Sequence, residues 1–208
     1  MKKYVTAVLA IMGSVSQLSA ATYTIDPAHS SIGFQIVHLA ISKVHGGFDK
    51  FSGSIEYIPG KPQLWKAEAS IDASSINTNE PTRDKHLRSA DFFDVEKFPV
   101  LTFKSTKVSG LKGMKGKLHG ELTMHGVTKP VVLDVEGSGP IKDPWGNERV
   151  AATATVRINR KDFGMVWNKV LDTGGVMIAD EVAITLELEA VREKEAVPAA
   201  APAPAEKK

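Results

Sequence analysis

Residues 181–190 read EVAITLELEA, with Val182, Ile184, Leu186 and Leu188 alternating with Glu181, Thr185, Glu187 and Glu189. Side chains of an extended strand point alternately to its two faces, so this pattern predicts a strand with one face buried and one in water. The same alternation recurs upstream. Ile32, Phe34 and Ile36 share a face within Ser31 to His38, as do Ile55 and Tyr57 within Gly53 to Ile58. Trp65, Ala67, Ala69 and Ile71 follow, then Leu101 and Phe103. Leu118, Gly120, Leu122 and Met124 turn through His125-Gly126 into Val131, Leu133 and Val135, and Asp143-Pro144-Trp145-Gly146-Asn147 leads into Val150, Ala152, Ala154, Val156 and Ile158. Turns of this chemistry join antiparallel neighbours.

Eight strands in short connections predict an all-β protein, either a sandwich or a closed eight-stranded antiparallel barrel. The inward faces carry Ala67, Ala69, Gly120, Ala152 and Ala154 where a solid core needs Leu or Ile. An eight-stranded barrel is just wide enough for one small ligand, so small residues there suit a lumen. The alternative is that Trp65, Phe34 and Phe103 fill the gaps. One interruption, Asn77 to Pro99, carries a short helix predicted from Glu80 to Ser89, with Pro81 in its first turn, Asp84 and Arg88 paired along one face, and Leu87 turned inward near Phe92 and Phe93.

Outward from this core, the chain begins with Lys2 and Lys3, an apolar run from Val5 to Met12 and a small-residue site at Ser19-Ala20-Ala21. This is the pattern of a secretory signal peptide, and the run is about half the roughly 20 residues that cross a bilayer. The expected organisation is a signal peptide over 1–21, one domain over 22–192 and an Ala/Pro-rich flexible tail over 193–208, in a periplasmic or secreted protein without stable membrane insertion. Of 26 basic and 24 acidic residues, two lysines leave with the leader, so the mature domain is formally neutral and offers no broad electrostatic footprint for nucleic acid. The absence of cysteine excludes zinc ribbons, iron–sulfur clusters and thiol nucleophiles.

Candidate chemistry is sparse. His29, His38, His45, His86, His119 and His125 are scattered without ligand spacing, so no metal is expected. Asp26, His29 and Ser30 stand at a strand start, where turn formation explains them better than a catalytic triad. Asp180 and Glu181 read as a solvated strand end, and Asp162-Phe163-Gly164 lacks the companion motifs of a kinase. Arg83, Lys85, His86 and Arg88 form a basic cluster suited either to an anion or to a solvated helix face.

Taken in order, several segments resemble the YceI-like family of bacterial proteins. They are Tyr23-Thr24-Ile25-Asp26 with His29-Ser30, Phe34 to His38, Gly47-Phe48, Arg83 to Phe93 with Phe98-Pro99, Leu122 to Val131, and Arg160 to Met165. The resemblance implies an exported, lipocalin-like antiparallel β-barrel whose elongated apolar pore holds a polyisoprenoid or similar long-chain lipid, with no catalytic residues to carry over and no cofactor besides that lipid. On this basis Phe34, Ile36, Trp65, Phe103, Leu122, Met124, Phe163 and Trp167 are expected to line the lumen, and His38, Arg83, His86, Arg88 and Asn168 are candidates for the head group. The expected protein is a carrier and not an enzyme. Two alternatives stay open: an enzyme acting on an isoprenoid or quinone, for which His38 is the visible lumen candidate, and a structural or stress-related partner-binding protein. A homodimer is compatible with either.

Overall fold

The computed structural model describes residues 20–172 and 174–194; the leader and tail expected from the sequence lie outside the described residues, apart from their innermost positions. Eleven strand segments among the described residues form one antiparallel sheet: β1 (Ala21–Ile25), β2 (Ser31–His38), β3 (Ser42–Phe48), β4 (Phe51–Tyr57), β5 (Lys66–Asp72), β6 (Ile76–Asn77), β7 (Val100–Lys112), β8 (Lys115–Met124), β9 (Val127–Lys142), β10 (Glu148–Asn159) and β11 (Ile178–Arg192).

The register reduces these eleven to eight long strands. β1 pairs with β4 and β2 with β3 in one ladder, so β1 and β2 are halves of one strand interrupted by a 3-10 turn at Pro27–His29, and β3 and β4 are halves of its neighbour. β4 pairs with β5 and β3 with β6, which makes β5 and β6 the third strand. The ladder continues through β7, β8, β9, β10 and β11. It closes because β11 pairs with β2 over its first part and with β1 over its last. Each strand thus lies beside its neighbours in sequence, giving a closed, eight-stranded, up-and-down antiparallel barrel.

The eight strands found by alternation correspond to these eight, but β1 and β3 were not predicted. β3 reads SKVHGGF, and Gly46-Gly47 breaks the pattern because the backbone there needs room. A Cβ at Gly46 would lie 2.5 Å from the Phe34 ring, and one at Gly47 2.7 Å from the Ile32 carbonyl oxygen. The β8–β9 turn is the predicted His125-Gly126, with φ of 53° and 72°, the two left-handed residues of a type I′ hairpin whose twist matches its strands.

The helix α1 (Pro81–Arg88) falls between β6 and β7. Glu80 caps it, its carboxylate accepting from the amides of Thr82 at 3.1 Å and Arg83 at 2.6 Å. The predicted Asp84–Arg88 pair does not form. Buried Asp84 instead accepts from the Thr78 amide at 2.8 Å and hydroxyl at 2.5 Å, while Arg88 donates to the carbonyls of Ser74 and Ile76, each at 2.7 Å. Asp84 is thus satisfied inside by Thr78, and the Arg88 guanidinium gains charged hydrogen bonds from two nearby backbone carbonyls instead.

Dense packing lies at the two ends of the barrel. Ile32, Phe48, Ile71, Ile76, Leu101, Met124, Phe163 and Met165 form the core beneath α1, with Leu87 and Phe93 packed on it. Tyr23, Ile25, Val150 and Ala190 form a smaller core at the opposite end. There Arg149 reaches Asp143, Asp26 and Glu189, tying β10 to the β1–β11 seam that closes the ring.

Candidate functional site

Between these two cores the inward faces are only half-buried. In β11, Val182, Ile184, Leu186 and Leu188 face inward yet remain partly accessible, because they border an internal cavity of about 460 Å³. That volume lies in the range of small-molecule sites. Its wall extends from Ile178 to Leu188 on β11 and from Leu101 to Leu111 on β7, ten residue steps in each case. At about 3.3 Å per residue this is roughly 33 Å measured along a strand, so the space is elongated and suits a chain better than a compact ring.

The wall is apolar with one polar end. Phe34, Ile36, Leu122, Ala154 and Ile184 line its middle, and Tyr57, Trp65 and Met114 its far end. The Tyr57 and Trp65 rings lie 4.8 Å apart, and the Trp65 indole N–H donates to the Ile58 carbonyl, so that N–H is not left unpaired toward the lumen. Lys66, Glu68 and Lys117 also border the space, but their side chains are exposed and ion-paired with Glu56, Lys104 and Asp134. Polar side chains gather beneath α1, where His38, Thr78, Arg83, His86 and Arg160 meet the cavity.

Thr78, Arg83, His86 and Arg160 are held in place by hydrogen bonds. Arg83 donates from Nε to the Thr78 hydroxyl at 2.7 Å and from Nη2 to the Thr78 carbonyl at 2.9 Å. His86 contacts the Asp91 carboxylate through Nε2 at 2.8 Å, and its ring stands edge-on to Phe92 and Trp167, with centroids 5.0 and 4.9 Å away. Arg160 is buried and donates to the carbonyls of Ala179 and Met165; desolvation lowers its pKa from the usual arginine value, and Asp180 opposes that shift. These positions can offer hydrogen bonds and positive charge to a bound group, while the wall below them is largely apolar.

Of the lining candidates, Phe34, Ile36, Trp65, Phe103, Leu122, Met124 and Trp167 are on the cavity wall. Phe163 is not: it is 2% exposed within the core under α1, and its carbonyl accepts from His125 Nδ1 at 3.0 Å. Of the head-group candidates, His38, Arg83 and His86 border the cavity. Arg88 is turned away to the Ser74 and Ile76 carbonyls, and Asn168 closes a backbone gap, donating to the Ile178 carbonyl at 2.7 Å and accepting from the Ile178 amide at 3.2 Å. Arg160 was missed although alternation points to it, since it follows Val150, Ala152, Ala154, Val156 and Ile158 at the same spacing of two. Thr78, Phe93, Met114 and Met177 had no comparable signal, because they reach the lumen from irregular connections.

Small residues play two parts. Ala67, Ala69, Ala152 and Ala154 border the cavity, as a lumen requires. Gly120 does not open space: a Cβ there would lie 2.4 Å from two atoms of the Phe103 ring, which occupies the place of the missing side chain. Among the described residues one group, Asp26, His29 and Glu189, brings three metal-capable atoms together. Arg149 already donates to both of its carboxylates, so a guanidinium stands where a cation would.

A closed barrel around an elongated apolar cavity with a polar mouth defines a class of lipocalin-like binding proteins. The YceI-like domain matches residues 23–190, and the chain belongs to that family. A UPF0312 protein of Vibrio cholerae is 41% identical over 169 residues, which cover 79% of this chain and 89% of the relative. The crystal structure of the Campylobacter jejuni YCEI protein has a TM-score of 0.66 and 33% identity, covering 94% of this chain and 100% of that one. A polyisoprenoid binding domain from Saccharophagus degradans, implicated in plant cell wall breakdown, shares the fold with a TM-score of 0.59 and 18% identity, covering 82% of this chain and 98% of its own.

Proposed function

We propose that the protein is an exported carrier that sequesters one long-chain isoprenoid, of the polyprenyl or isoprenoid-quinone type, or a similar amphiphilic lipid, in the barrel lumen. The observation that carries this reading is the asymmetry of the cavity: hydrocarbon along its length, polar side chains gathered beneath α1. The tail runs past Phe34, Leu122 and Ala154 toward Trp65, and the head lies by His38, Arg83 and His86. Each buried methylene contributes about 0.8 kcal/mol before the entropy of ordering the chain is subtracted. A multi-unit tail therefore supplies affinity, and the mouth supplies selectivity. Family membership supports a binding role over catalysis, and the Saccharophagus neighbour is described as binding a polyisoprenoid. Arg83 and Arg160 are already engaged by Thr78 and by backbone carbonyls, which suits holding a ligand better than transferring protons.

Export is part of the same proposal and rests on the leader composition. Solvent extraction of the purified protein followed by mass spectrometry tests the cargo: one isoprenoid or comparable lipid per chain is expected. Failure to yield any such lipid, together with failure to take one up when it is supplied, overturns the reading. Intact mass of the same sample tests export, with a first residue at Ala21 or Thr22 expected.

A further inference from the structure

Five large aliphatic residues exposed at the mouth end lie in two segments. Val37 and Ile41, 37% and 85% exposed, lie in or beside the β2–β3 hairpin; Val166, Val170 and Val176, 65%, 75% and 46% exposed, lie in the connection between β10 and β11. The segments are joined by hydrogen bonds. The Leu39 amide donates to the Met177 carbonyl at 2.8 Å, the Met177 amide donates to the Lys169 carbonyl at 2.9 Å, and Val170 and Val176 form an isolated antiparallel bridge.

These segments are apolar on both sides. His38, Trp167 and Met177 border the cavity, while Ile41, Val166 and Val176, one to three residues away, are exposed. A single exposed aliphatic residue is ordinary on a protein surface, but a cluster of them around the opening of an apolar cavity marks an interaction site. Exposed Lys43 and Lys169 belong to the same two segments, and among the described residues neither forms an ion pair; Asp172 is the one exposed acid of the β10–β11 connection outside its first turn. Lysines beside aliphatics suit an anionic lipid interface, since the stem joins the apolar layer while the ammonium meets the head groups.

We infer that this face docks on the surface of an anionic lipid bilayer, setting the cavity mouth against the membrane so that cargo passes without crossing water. The inference rests on the carrier reading, because a bilayer is the source of such a cargo. At the opposite end Trp145 and Ile141 are also exposed, 81% and 65%, but neither is on the cavity wall and Trp145 sits in the hairpin organised by Asp143 and Arg149. That end provides the internal control.

The experiment is flotation of the purified full chain, processed by its bacterial host, with phosphatidylethanolamine–phosphatidylglycerol vesicles. Uptake of geranylgeraniol delivered from ethanol is measured in parallel. The wild type and Trp145→Ser are expected to float equally. The Ile41→Ser, Val170→Ser double variant is expected to lose about tenfold or more in vesicle partitioning, by removing two aliphatic side chains from the hydrocarbon layer, while its uptake of dissolved geranylgeraniol is unchanged. Loss of flotation in Trp145→Ser with retention in the double variant overturns the assignment of this face. So does a concentration-dependent dimer that the double variant converts to monomer while vesicle binding persists, because the face is then a self-interface. Uptake of geranylgeraniol by a wild type that does not float overturns docking and leaves the carrier reading standing; absence of uptake counts against the carrier reading separately.

Discussion

Gly120 and Ala154 both interrupt an apolar face with a small residue, and their surroundings give them opposite roles. Phe103 covers Gly120 so closely that Gly120→Ala places a Cβ about 2.4 Å from its ring. The ring must move, and overpacking of this kind costs about 1 to 3 kcal/mol, measurable as a lower urea midpoint. Ala154 is buried but borders the cavity, so Ala154→Phe projects into the lumen. Its expected effect is a steep fall in lipid recovered per chain, read by mass spectrometry, with the β-sheet circular dichroism spectrum retained.

Asp143 shows how one residue sets the acid limit of a hairpin. Its carboxylate accepts from the Asn147 side-chain amide and from Arg149, as well as from the Trp145 and Asn147 backbone amides, which together hold its pKa down to about 2. An unfolded aspartate titrates near 3.9. As pH falls below about 4 the unfolded chain binds the proton first, so stability is present above that value and is lost between about pH 4 and 2. Asp26, held low by His29 and Arg149, acts in the same direction. Urea midpoints followed by circular dichroism are expected to drop across this window, with a shallower drop in Asp143→Asn.

At the scale of elements, α1 was legible because its signals are local: Glu80 as cap, Pro81 in the first turn and a polar run between strands. Its side-chain partners were not, since Thr78, Ser74 and Ile76 approach Asp84 and Arg88 only once β5 and β6 have bent beneath the helix. This separates two arginines that the sequence could not distinguish. Arg88→Ala strips two carbonyls of their charged donor and is expected to lower stability by about 1.5 to 3 kcal/mol without changing lipid affinity. Arg83→Ala acts at the mouth, and for a phosphate-headed lipid it is expected to weaken binding by a similar amount, about tenfold or more, with a neutral isoprenoid alcohol little affected. Isothermal titration with both ligands checks the contrast. The split strands follow the same logic: β1–β2 and β3–β4 each looked like one short strand because the Pro27–His29 turn and the Gly46-Gly47 pair break local alternation, whereas the ladder between them runs past both breaks.

For the whole molecule, closure is what turns half-buried faces into a lumen. Filling one more position tests that claim at this scale: Ala152→Phe, on the same strand face as Ala154, is expected to reduce cargo on its own, and the double Phe variant to abolish it, since both side chains enter one continuous cavity. Stability loss is expected to stay within the range for overpacking, about 1 to 3 kcal/mol per site.

The sequence by itself determined the class of structure, the eight strands, the helix between the third and fourth of them, and the inward faces, because a strand's period of two and a helix cap are written in neighbouring residues. It also placed most of the lining, and the same period carried Arg160 inward. What only the tertiary structure decided was which gaps are empty and which charges are spare. Whether a small residue leaves space depends on a ring from the adjacent strand, as Phe103 shows over Gly120, and whether an arginine can meet a ligand depends on carbonyls brought near by folding, as Ser74 and Ile76 show at Arg88. Both are set by packing across the closed ring, between residues that local periodicity does not relate.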